Sequence, residues 1–176
     1  MKPIANACLL LCLFVGTLNA SDDRLNLLFI VSEDNGPEIG CYGAPVQTPN
    51  FDKLAGEGTL FRNAYVAQAG CSQSRAAFLT GLYPHQNGQI GLATWKYGMF
   101  SEKIPNVVKT LGKAGYRTGN IGKLHVNPEK AFPFDFKSIP SANFSRKGMS
   151  AYAENAKKFI WSSKSCLLYT SPSPRD

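Results

Sequence analysis

The sequence predicts an α/β fold, a mixed, mostly parallel sheet flanked by helices, on three observations. A continuous apolar run from Arg24 to Val31 ends in the polar turn 32–37, the pattern of a strand buried on both faces. Helical spacing with a proline near the start recurs at 48–55 and 104–115. Extended-type segments follow those helices at 60–66 and from Tyr116. The balance of 44% hydrophobic and 18% charged residues over 176 residues excludes a disordered or fibrous chain and suits one domain. The net charge of +7 is scattered and lacks aromatic interleaving, so it argues for anionic substrates and against a nucleic-acid platform.

Met1 to Ala20 carries Lys2, an apolar run from Ala7 to Leu18, and Asn19-Ala20 before the polar Ser21-Asp22-Asp23. This is the pattern of a secretory signal peptide, its apolar run short for a membrane anchor. The expected product is secreted, periplasmic or lysosomal in type, with no membrane attachment after cleavage. Cys8 and Cys12 would leave with the signal, and Cys41, Cys71 and Cys166 remain, an odd number that implies no tidy disulfide framework. Cys41 stands open as a small buried residue, as a partner for a thiol outside the chain, or as a partner for Cys71.

Each segment then has its local reason. Glu33 and Asp34 leave the C-terminal end of the first strand, where ligand sites collect in open α/β sheets, and adjacent carboxylates suit a hard divalent cation or a solvated turn. Thr48-Pro49 opens a helix with an apolar face of Phe51, Leu54 and Ala55, and Leu60 to Val66 reads as strand-like, delivering the chain to Cys71. Gly70-Cys71-Ser72-Gln73-Ser74-Arg75-Ala76-Ala77-Phe78-Leu79-Thr80-Gly81 reads as a loop turning into a helix that stops at Gly81. Cys71 and Arg75 are four apart, one helical face, and a helix N-terminus favours an anion and an ionised thiol. Tyr83 to Gly88 is a turn carrying His85, one of two histidines.

Ile104 to Gly115 is expected to be a helix with Val107, Val108 and Leu111 buried. Tyr116 to His125 follows as a strand entering a loop, with Lys123 and His125 two apart and therefore on one side of an extended chain. A cation and an imidazole together can hold a tetrahedral dianion and move a proton. Phe132 to Phe136 reads as a loop with aromatic anchors, Met149 to Trp161 as a helix with a solvated Lys157-Lys158 pair, and Asn143-Phe144-Ser145 as a glycosylation sequon. From about Ser162 the chain shows neither helical nor strand periodicity. A flexible native tail is the ordinary account of 162–176; its ending also resembles translated adapter read-through, and we read it as non-native.

Cys71-Ser72-x-Ser74-Arg75-Ala76 with Leu79-Thr80-Gly81-Leu82-Tyr83-Pro84-His85, and Gly122-Lys123-x-His125 after a Gly-Tyr-Arg-Thr strand, resemble the two signatures of the type I sulfatases. Gln73 stands where that family has Pro or Ala, Glu33 where it has Asp, and Leu124 where it has Trp. His-Gln-Asn-Gly at 85–88 resembles the branch that contains the heparan N-sulfatases. The resemblance spans Arg24 to Trp161, the N-terminal third of the usual length, and implies an incomplete alkaline-phosphatase-like fold. It further implies a divalent metal, calcium, on Glu33, Asp34 and Cys71. Cys71 would be converted to formylglycine by a formylglycine-generating enzyme, with Arg75, Lys123 and His125 catalytic. Lys123, His125 and His85 would bind a sulfated carbohydrate. Two rivals stand beside it: a phosphodiesterase or phosphonate hydrolase of the same superfamily, with similar carboxylates and an unmodified nucleophile, and a non-catalytic secreted protein that binds sulfated glycans through the cationic pocket.

Overall fold

The computed structural model describes residues 24–139, 149–162 and 166–171; the signal segment and the Asn143 sequon lie outside them. Four strands, β1 (Leu27–Ile30), β2 (Arg117–Gly122), β3 (Phe136–Ser138) and β4 (Cys166–Ser171), form one sheet in the order β1-β4-β2-β3. Every pairing is parallel, with Leu28 opposite Leu168 and Asn120 opposite Tyr169. Among the described residues five α-helices accompany it: α1 (Pro49–Glu57), α2 (Cys71–Thr80), α3 (Pro84–Asn87), α4 (Val107–Lys113) and α5 (Met149–Trp161). The α/β class is therefore as expected. No helix among the described residues is long and apolar enough to cross a membrane.

Both faces of the sheet are packed around β4, whose side chains alternate, whereas β1, expected to be buried on both faces, is exposed at all four of its residues. Tyr169 faces α2 and α4, where it joins Ala76, Leu79, Val108, Leu124 and Phe134 in one cluster. Cys166 and Leu168 face α5 and join Ile121, Tyr152 and Phe159 in the other. Tyr169 sits among aromatic rings, with Phe29, Phe78 and Phe134 at 5.9, 6.1 and 6.4 Å. Each large apolar side chain buried this way contributes about 1.5–3 kcal/mol. The segment after 162, expected to lack regular structure, thus supplies an inner strand. Its Cys-Leu-Leu-Tyr-Thr run is short, apolar and partly β-branched, which suits a strand buried on both faces.

Helix ends follow their sequence signals where a cap is present. Gly81 ends α2 in the left-handed region (φ 71°), and the Asn106 side chain caps α4 by accepting from the Lys109 amide at 3.1 Å. Several expectations are corrected. Residues 60–66 form no strand, because they find no neighbour to pair with among the described residues. Helix α4 starts at Val107, and of its expected stripe only Val108 is fully buried, with Leu111 partly so and Val107 exposed. The α1 face is open: Phe51 and Leu54 are 49% and 66% exposed. Thr48 does not cap α1 through its side chain; its hydroxyl bonds Asp52 and accepts from the Gly40 amide. Phe136 opens β3 where a loop was expected, while Phe132 and Phe134 are buried anchors as read.

One glycine is dictated by packing. A Cβ on Gly119 of β2 would meet the Phe159 ring of α5 at 2.8 Å, whereas a Cβ on Gly56 of α1 meets nothing within 4 Å. Gly119→Ala should therefore lower stability by about 1–3 kcal/mol as overpacking. Gly56→Ala should leave it unchanged or raise it by up to about 1 kcal/mol. Urea midpoints of the two variants check this, and equal shifts would contradict the packing of α5 on β2.

Candidate active site

Three separate stretches of chain meet at the C-terminal ends of β1 and β2. Val31 continues the ladder with its amide on Thr170 O at 2.9 Å, after which the chain turns and presents Glu33, buried, and Asp34, exposed and at φ 54°. Cys71 is the first residue of α2, whose preceding residue Gly70 offers no side chain to cap the first-turn amides. Beyond Gly122 the chain leaves β2, and Lys123 and His125 lie on a loop, His125 in the left-handed region at φ 52°. The two were expected on one side of an extended strand; they lie instead on irregular chain past the end of β2.

One ligand atom from each of Glu33, Asp34 and Cys71 lies within 4.8 Å of the others. Cys71 Sγ is 3.7 Å from Glu33 Oε1. On the same oxygen sits the Lys123 ammonium, a contact between groups only 12% and 6% exposed. Two carboxylates supply the hard oxygen donors that calcium or magnesium takes, and the bond to Lys123 shows that Glu33 is aimed at a positive charge. A thiol is a softer donor, so an oxygen on residue 71 would complete the set better for such an ion than the unmodified cysteine.

Arg75 is a buried residue of α2. It is 3% exposed, and its Nη1 donates to Lys123 O at 2.7 Å and to the Tyr169 hydroxyl. The guanidinium thus fixes the loop that carries Lys123 and ties it to α2. Tyr169 was missed by sequence reasoning because its segment was set apart as a tail; the short apolar run 166–170 was the available signal.

Both ring nitrogens of His125 are buried with no hydrogen-bond partner among the described residues. Burial first, then the charges of Lys123 and Arg75, lower its pKa from 6.5 to about 4. The imidazole is neutral at pH 7 and able to accept a proton.

His85 is not brought into this cluster. It lies on α3 beyond the C-terminal end of α2, exposed and stacked on Tyr83 at 5.8 Å. The Asn87 amide, bonded to Thr80 Oγ1 and Leu82 O, holds α3 there. Ten helical residues, about 15 Å, separate that end from Cys71. Gln73 is buried, donates to Ile90 O at 3.4 Å and leaves its Oε1 without a partner among the described residues.

A depressed histidine pKa means that the unfolded chain binds more protons than the folded one. The stability this gives is present above about pH 6.5 and lost as pH falls toward 4. In an NMR titration the His125 ring, identified by its loss in His125→Gln, should titrate near pH 4 and move upward when inorganic sulfate is added. Titration near 6.5 without sulfate would contradict the site's burial and charge.

Comparison with known proteins gives the family. The family model described as Sulfatase matches residues 25–169. Human N-sulphoglucosamine sulphohydrolase is 43% identical over 132 residues, 74% of this chain and 26% of that protein. An ulvan-active sulfatase of Formosa agariphila is 35% identical over 165 residues, 89% of this chain and 31% of its own length. The chain therefore spans between a quarter and a third of these relatives. Among solved structures, yidJ of Bacteroides fragilis superposes with a TM-score of 0.75 at 25% identity, over 89% of this chain and 46% of that one. A phosphonate monoester hydrolase of Agrobacterium radiobacter shares the fold at a TM-score of 0.66 and 18% identity, over 86% and 41% of the two chains. With its signatures converging in space and the model matching nearly its whole described length, the chain belongs to the sulfatase family.

Proposed function

We propose that this chain is the N-terminal part of a hydrolase that cleaves sulfate esters or sulfamates of a sulfated carbohydrate. The observation that carries the reading is the meeting of Cys71, at the start of α2, with the Glu33-Asp34 carboxylates on one side and Lys123 on the other. In this reading a formylglycine-generating enzyme converts Cys71 to formylglycine, whose hydrated aldehyde supplies the nucleophilic oxygen. A divalent cation, calcium in our reading, would be held by Glu33, Asp34 and residue 71. When bound, it polarises the sulfuryl group and offsets developing negative charge.

The chain's own residues do the rest. With Glu33 serving as a cation ligand, the Lys123 ammonium would donate to sulfate oxygens, a charge-assisted contact that strengthens as charge develops on them. His125, neutral at pH 7, accepts the proton of the attacking hydroxyl on a ring nitrogen. Arg75 holds the Lys123 carbonyl and so fixes the loop that carries the ammonium. No group placed to protonate the departing sugar oxygen or nitrogen converges here among the described residues. In our reading that acid and the remaining cation ligands come from the part of the domain that the longer relatives have in addition. The secreted or lysosomal-type location expected from the N-terminal segment would bring such an enzyme to extracellular or lysosomal glycans.

The test is the chemical state of residue 71 in the full-length protein, made in a host with a formylglycine-generating enzyme. The peptide carrying it should have the mass of an aldehyde, and Cys71→Ala should lower sulfate release at least about 1,000-fold. An unmodified thiol in a protein that cleaves phosphodiesters or phosphonates would favour that rival chemistry. Tight binding of a sulfated glycan with no release would favour the binding role.

A further inference from the structure

We propose that the loop from Ile90 to Tyr97 is a sugar platform beside the nucleophile, with Trp95 stacking on a monosaccharide and Lys96 pairing with an anionic substituent on it. This deepens the reading above and rests on it for the nature of the ligand.

The loop is bound to both halves of the site. Its Ala93 amide donates to Ser72 Oγ at 2.8 Å, one residue after Cys71, and its Ile90 carbonyl accepts from Gln73. On the other side Asn127, two residues past His125, donates to Ala93 O and Tyr97 O at 2.9 Å. Fully buried Gln89 grips the loop from beneath, donating to Gly91 O at 2.7 Å and Tyr97 O at 3.1 Å. Residues 90–97 therefore span the gap between the segments that carry Cys71 and His125.

Two features turn Trp95 outward on this fixed frame. The Tyr97 ring packs against Gly91, where a Cβ would meet it at 2.3 Å, so that aromatic is pinned to the loop. Trp95 closes the short 3₁₀ turn Ala93–Trp95 and Lys96 takes the left-handed region at φ 66°, which leaves Trp95 71% exposed. Its Cα lies within about 7 Å of that of Ala93, and Ala93 touches the residue beside the nucleophile. An exposed indole next to a cation has only two side-chain torsions to order on binding and offers a flat apolar face. Sugars present apolar C–H faces, and sulfated sugars carry the negative charge that Lys96 complements. Among the described residues, other exposed aromatics such as Phe61 and Tyr65 lie on a segment without hydrogen bonds to Ser72, Gln73 or Asn127.

The test is equilibrium binding to the full-length protein carrying Cys71→Ala. The probes are a heparin-derived sulfated tetrasaccharide, its desulfated counterpart and inorganic sulfate. Trp95→Ala should weaken the tetrasaccharide about tenfold, leave inorganic sulfate unchanged, and be partly rescued by Trp95→Phe. Lys96→Ala should weaken the sulfated sugar more than the desulfated one. Unchanged affinity in Trp95→Ala, parallel loss of inorganic sulfate, no binding of the tetrasaccharide by the parent, or a dimer that Trp95→Ala dissociates would each overturn the platform. Binding through Trp95 by a protein that, with Cys71 intact, releases no sulfate would leave the platform standing and remove the sulfatase reading.

Discussion

The contact on which the rest of this site depends is the buried pair between Lys123 and Glu33. Glu33 follows β1 and Lys123 follows β2, with ninety residues of chain between them, and β4 separates their strands in the sheet. Neither charge can be buried alone without a penalty of several kcal/mol, so each is a condition for the other. Their attraction draws the two strand ends over β4 and sets the floor against which Cys71 is placed. The same pairing makes the site responsive, since a cation on Glu33 and an anion at Lys123 would satisfy both partners separately. The neutral His125 and the buried Arg75 belong to the same electrostatic arrangement, a concentration of positive charge beside one carboxylate pair.

Most of this site was legible in the sequence because its residues sit at helix starts and strand ends, which leave local marks. The helix from Cys71 to the Gly81 stop, the polar turn at Glu33-Asp34 and the Gly-Lys-x-His loop could be read from spacing and punctuation. What could not be read depended on contacts between distant segments. The spacing of Arg75 said nothing of Lys123 O and Tyr169, 48 and 94 residues away, which its guanidinium also bonds. His85 stood next to a signature in sequence yet lies at the far end of α2, because a buried Asn87 folds the turn back there. The strand at 166–171 was hidden by its Ser- and Pro-rich surroundings, although its core is an ordinary buried run.

The misread apolar faces have one physical origin. Leu27 to Ile30 of β1 are 42–54% exposed, β1 has no outer neighbour among the described residues, and the apolar side of α1 is likewise open. Patterns in 48–66 predicted a helix face to bury and a strand to pair, and both patterns remain in the sequence without their counterparts. This is what a quarter to a third of a larger fold should look like: local signals intact, with tertiary satisfaction confined to the part that closes on itself. That part is the half of the sheet around β4 and β2, and it carries Lys123, His125 and the anchor of Arg75.

The claim that a buried charge pair organises the site is tested most directly by a double-mutant cycle on Glu33→Gln and Lys123→Met, read by urea unfolding. The account predicts that each single change destabilises strongly, by about 3–5 kcal/mol, because it strands the other charge. The double variant should then lose less than the sum of the two by about 2 kcal/mol or more. Additivity within about 0.5 kcal/mol would show that the two groups do not depend on each other, and would contradict the account.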